Sequence, residues 1–184
     1  MKKHILKAEN AVSLWNIFGN FGRLDSKIEK TENGATAQNA KIKASCLYHT
    51  DENGVTLRED FIENISENAI VLNGSTSVFE FNNSEYEVYT QFNIWLNESL
   101  GKWHILTTSV SASPDLLRTC MGATPFMVLW NKQTERGTVF HLLPNSLWEM
   151  TAKRFPVSSD IAKVAIEAGI KKPILIGLSD REKN

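Results

Sequence analysis

The side chains in this chain that are able to do acid–base, nucleophilic or metal chemistry are few and scattered. The two cysteines are Cys46 and Cys120, and the four histidines are His4, His49, His104 and His141. A structural zinc takes four ligands at short, paired spacings, and two distant cysteines supply neither the number nor the spacing. There is no Gly-rich phosphate loop and no His-Glu-x-x-His helix. Nothing ahead of Gly122-Ala123-Thr124 reads as the strand-to-helix elbow that presents a nucleophile. No metal and no cofactor are therefore expected. Cys46 and Cys120 read as small buried apolar residues. His104 and His141 lie inside strand-like runs, where a hydrogen-bonded structural role is the expectation.

Carboxylates and tryptophans are the better candidates. Hydrolysis of a glycosidic bond uses two carboxyl groups on opposite sides of it. Glu98 is the best placed, between two aromatic runs, but no second carboxylate sits near it at a defined spacing. Glu85 and Glu87 read as members of an exposed strand face, and the plainer reading of Glu98 is a solvated loop charge or a structural partner for Lys102 or Arg118. No hydrolase dyad is expected in this chain. The tryptophans are Trp15, Trp95, Trp103, Trp130 and Trp148. An indole has two apolar faces and one N–H donor, which suits a core, an interface and a sugar platform alike. Trp95 and Trp103 bracket Glu98, so these three, with Arg118, form the candidate substrate- or interface-contacting set.

The elements that carry these groups read as strands. Tyr86, Val88, Thr90, Phe92 and Ile94 alternate with polar or outward-facing residues, the period of a half-buried strand rich in aromatic and β-branched residues. The run from Trp103 to Ser111 is a second strand, and Leu96–Lys102, which contains Gly101, is the expected loop between them. Pro125–Trp130 and Gly137–Leu143 form a further pair across Lys132–Arg136, and Pro144-Asn145-Ser146 turns the chain into Leu147–Thr151. Asn33-Gly34, Asn53-Gly54 and Asn73-Gly74 each predict a hairpin turn with two positive-φ residues. Ser159–Gly169 suits a short capped helix and an alternating strand equally well. Many short strands with frequent turns predict an all-β sandwich.

The chain has 184 residues, 42% of them hydrophobic, with 20 basic and 21 acidic side chains and a net charge of −1. That length argues for one domain, residues 1–184, able to bury a core without disulfides. The composition excludes disorder and collagen, and the near-zero charge excludes a basic nucleic-acid binder. The N-terminus lacks the apolar run of a secretory signal, and no window reaches the roughly 20 apolar residues of a membrane helix. A cytoplasmic protein without nucleic-acid or membrane partners is the expectation.

Two stretches carry a resemblance. Glu87–Trp103 (Glu87-Val88-Tyr89-Thr90-Gln91-Phe92-Asn93-Ile94-Trp95-Leu96-Asn97-Glu98-Ser99-Leu100-Gly101-Lys102-Trp103) resembles part of the N-terminal domain of bacterial α-galactosidases of glycoside hydrolase family 36. So does Arg118–Asn131, with its Arg118-Thr119-Cys120-Met121-Gly122-Ala123-Thr124-Pro125 run, followed by Arg136–Pro144. The likeness covers about Glu87 to Ile176, while residues 1–85 fit only as generic strands. It implies a β-supersandwich, incomplete at its C-terminal end, in a multidomain enzyme whose separate barrel carries two catalytic aspartates. By that resemblance the chain is a non-catalytic scaffold and interface domain of an enzyme acting on α-galactosides, either a fragment of it or a natural relative without the barrel. Its partners would be the enzyme's own catalytic barrel and the α-galactoside substrate. A free-standing carbohydrate-binding module is the alternative. A sandwich that is cut short leaves bare strand edges, which pair with other chains, so a homo-oligomer is expected.

Overall fold

Alternating burial along the chain sets the architecture. A strand whose every second side chain is apolar is stable only when that face is covered, and this chain solves the problem repeatedly with antiparallel sheets. The computed structural model describes residues 15–82, 84–94, 97–114, 122–142, 148–156 and 162–177. Its described residues are nearly all strand, an all-β fold of antiparallel sheets as the sequence predicts. Its contacts divide the chain into two compact units, Met1–Ser77 with Lys172–Asn184, and Val78–Lys171.

In the first unit, β1 (Asn16–Gly19) pairs with β2 (Gly22–Arg23), and a 3-10 turn at Asp25–Lys27 leads into β3 (Ile28–Thr31). β3 opens a four-stranded sheet with β4 (Gly34–Gln38), β5 (Ile42–Thr50) and β6 (Thr56–Asn64) in that order. β1 also pairs with β7 (Ile70–Phe81), a strand that continues into the second unit. Trp15, Ile17, Ile70 and Leu72 meet Ala35, Ala37, Ile42, Ala44 and Cys46 in one buried cluster. Small residues on β4 and β5 let the large ones from β1 and β7 seat between the sheets. Burying each of these large side chains is worth about 2 kcal/mol.

The second unit repeats the plan. β8 (Tyr86–Ile94), β9 (Asn97–Ile105), β11 (Gly122–Asn131) and β12 (Arg136–His141) make a sheet in the order β12-β11-β8-β9. β10 (Ser109–Ala112), β13 (Trp148–Pro156) and β14 (Ala162–Ile170) pair in sequence, and β11 lies against β13. Tyr86, Val88 and Thr90 are buried, as the alternation of β8 requires, and Met127, Leu129, Met150, Ala152, Val164 and Ile166 are buried with them. Phe140 packs on Phe79 at 5.3 Å and on Phe81 at 6.1 Å between ring centroids. Finally β15 (Ile174–Ile176) returns to the first unit and pairs with β7. The buried Asn64 amide donates to the carbonyls of Asn68 at 2.8 Å and Gly177 at 3.1 Å, which fastens that returning segment. Among the described residues, no helix is long and apolar enough to cross a membrane.

Where the helix and strand readings of Ser159–Gly169 competed, the strand won over 162–170, because β13 offers it a full-length antiparallel partner. The turn across Lys132–Arg136 forms as expected, with the Asn131 side chain accepting hydrogen bonds from the Gln133 and Thr134 amides. The three Asn-Gly pairs fare differently. Asn53-Gly54 is a turn, but only Gly54 takes positive φ, at +78°, with its amide bonded to the Asp51 carbonyl. At the first pair the two-residue loop is Glu32-Asn33 and Gly34 already belongs to β4, with neither Asn33 nor Gly34 at positive φ. Asn73-Gly74 is no turn at all and sits inside β7, where Gly74 faces Phe18 of β1. Gly34 and Gly74 answer close approach instead: a Cβ would lie 1.9 Å from the Cys46 carbonyl oxygen and 2.6 Å from the Phe18 ring.

Candidate functional site

Of the four residues singled out in the sequence, Trp95 and Arg118 lie outside the described residues. Glu98 belongs to strand β9 and not to a loop, and its side chain also lies outside what is described. The expected loop at Leu96–Lys102 is replaced over Asn97–Lys102 by strand paired with β8, Gln91 opposite Gly101 and Thr90 opposite Lys102. Gly101 therefore serves no turn. A Cβ there would fall 1.7 Å from the Tyr89 hydroxyl oxygen, so the glycine makes room for the tyrosine ring to lie across the strand. Trp103 is 50% exposed, neither a core residue nor a free one.

Trp103 sits directly opposite Tyr89 in the register, and their ring centroids are 5.2 Å apart. Tyr89 also faces Val128 on β11 and touches the Phe126 ring at 5.7 Å. Val128 in turn faces Val139 on β12, which is 65% exposed. One row, Trp103–Tyr89–Val128–Val139, thus crosses all four strands of the sheet on its outer face. The next row is Ile105–Glu87–Trp130–Gly137. The Trp130 ring leans over Gly137, from which a Cβ would be only 3.1 Å from Trp130 Cε3. Polar groups border the rings. Gln91 lies next to Tyr89 on the same face, and Glu87 pairs with Lys132 at 3.3 Å. A cleft of about 410 Å³ lined by Ile105, Leu106, Glu85, Tyr86, Lys132 and Arg154 opens at the Ile105 end. Besides Trp103 itself, the sequence signal of this surface is that alternation places Tyr89 out of phase with the buried face of β8.

The other charged cluster is in the first unit. Tyr48 is opposite Arg58, and Cys46 opposite Asp60, in the β5–β6 register. The Arg58 guanidinium donates to both Asp60 carboxylate oxygens, at 2.6 and 3.2 Å, and to the Tyr48 hydroxyl at 3.1 Å. It lies over the Trp15 ring at 4.9 Å and the Tyr48 ring at 5.6 Å. Ser75 takes a hydrogen bond from Trp15 Nε1 at 3.1 Å. Burial works against the Arg58 charge, but the Asp60 carboxylate beside it more than offsets that and holds its pKa above the ordinary value. Sequence reasoning missed this cluster. Its signal was Arg58 and Asp60 two apart on a strand, which places them on one face.

Burial pushes the Cys46 thiol and the Tyr48 and Tyr86 phenols above their ordinary values. For each, the folded protein keeps a proton that the unfolded chain releases, so stability is full below the unfolded value and falls as pH rises towards the folded one. Denaturant unfolding at a series of pH values is expected to show stability falling from about pH 9 upwards, where the unfolded thiol begins to ionise. Tyr48→Phe is expected to flatten the part of that fall above about pH 10, and a flat profile from 9 to 11 would contradict it.

His104 accepts or donates one hydrogen bond with the buried Thr90 at 3.2 Å, the structural role expected of it, while His141 is exposed on β12. Cys46 is buried, and Cys120 lies outside the described residues. Among the described residues no three His, Cys, Asp or Glu side chains converge as metal ligands do. Comparison with protein-family models and with curated proteins finds no match for this chain.

Proposed function

We propose that this chain is a non-catalytic scaffold of an α-galactosidase-like glycoside hydrolase, whose acid and nucleophile belong to a separate barrel. The intact enzyme would work in the cytoplasm on α-galactosides, as a homo-oligomer. One observation carries the reading. The stretches that carry the resemblance supply strands β8, β9, β11 and β12, which are hydrogen-bonded neighbours in one sheet. Four of the described carboxylates, Glu80, Glu87, Glu149 and Glu167, are held in ion pairs with lysines.

The test is hydrolysis of an aryl α-galactoside. The chain alone is expected to show none above background, since glycoside hydrolysis needs two placed carboxyl groups. Activity that survives repurification and is abolished by Glu98→Gln would overturn the reading.

A further inference from the structure

We infer that the outer face of sheet β12-β11-β8-β9 is a carbohydrate-binding platform, with Tyr89, Trp103 and Phe126 as its floor. The platform goes beyond the scaffold reading and rests on it only for the choice of test sugars, so a failure to bind leaves that reading standing. The ring of Tyr89 lies across Gly101, and that of Trp130 across Gly137. A glycine beneath a ring leaves the space into which the ring leans, so these rings rest against the outer surface of the sheet. The face of an aromatic ring carries negative potential, which attracts the polarised C–H groups on the apolar side of a pyranose. Three rings in contact, at 5.2 and 5.7 Å and inclined to one another by 57° and 38°, make a continuous aromatic trough that a pyranose can enter.

The polar rim decides the kind of ligand. Among the described residues, the Trp103 indole N–H, the Tyr89 hydroxyl and the Gln91 carboxamide have no side-chain partner. A protein partner with an apolar face would strip water from these groups and return no hydrogen bonds. A neutral, polyhydroxylated ring satisfies them while its C–H face covers the aromatic floor. The surrounding charges are already in use, Glu87 on Lys132, so the site does not select for an anion. The cleft at the Ile105 end gives a second sugar unit somewhere to extend.

The experiment titrates the full chain with raffinose, and separately with soluble galactomannan, while following ¹⁵N chemical shifts. Binding is expected to move the Trp103 indole resonance and the amides of Tyr89, Gln91 and Phe126, and to leave the first unit unmoved. Trp103→Leu keeps apolar bulk but removes the ring, and is expected to weaken binding about tenfold. Because the key reading uses the natural protein, a misfolded variant does not spoil it. No shift with either sugar overturns the proposal. So does an unchanged affinity in Trp103→Leu, or shifts that move with protein concentration alone and mark the face as a contact between copies of the chain.

Discussion

Arg58→Ala is expected to lower the unfolding free energy by about 3 kcal/mol, because a half-buried guanidinium gives up a forked ion pair, a hydrogen bond and two ring contacts together. The Arg58 side chain is 13% exposed and that of Asp60 31%, so the orphaned carboxylate regains only part of its hydration. The loss has three sources. The forked hydrogen bonds to Asp60 go, the Tyr48 hydroxyl loses its donor, and the cation leaves the Trp15 and Tyr48 rings. Arg58→Lys separates charge from shape. An ammonium keeps the attraction to Asp60 but presents no planar fork and stacks poorly, so about half of the loss is expected to remain. Urea unfolding of the three proteins checks this. A loss below about 1 kcal/mol for Arg58→Ala would place the pair with ordinary surface ion pairs and remove the argument.

Gly34→Ala is the second large effect, again about 3 kcal/mol, for a reason unrelated to charge. The new Cβ would lie 1.9 Å from the Cys46 carbonyl oxygen and 2.9 Å from its carbonyl carbon. The obstacle is backbone in the paired strand, so no rotamer change relieves it and the β4–β5 pairing must open locally. For a unit of this size the melting temperature is expected to fall by about 15 °C. Gly22→Ala is the control. Nothing lies within 4 Å of a Cβ at Gly22, but its φ is +97°, so the penalty is conformational only and about 1 kcal/mol. If the two substitutions cost the same, close approach is not what Gly34 provides.

What the sequence determined by itself is what depends on neighbours along the chain. The buried face of β8, Tyr86, Val88 and Thr90, is legible because strand side chains alternate with a period of two whatever the partner strand is. The turns at Asp51–Gly54 and after Asn131 are legible because a few adjacent residues make their hydrogen bonds. The all-β fold follows from many such segments.

The tertiary structure decided everything that depends on what lies across the strand. Gly101, Gly34 and Gly74 look like turn residues in isolation, yet each sits in a strand where a ring or a carbonyl from another segment needs the space of its missing side chain. Asn97–Lys102 looks like a polar loop, yet β8 supplies it with hydrogen-bond partners and makes it an edge strand. The outer ring row and the Arg58 cluster are assembled from residues far apart in sequence, joined only by register: Tyr89 meets Trp103 and Phe126, and Arg58 meets Tyr48 and Trp15. Periodicity shows which face a side chain occupies. Only pairing decides which other side chains share it.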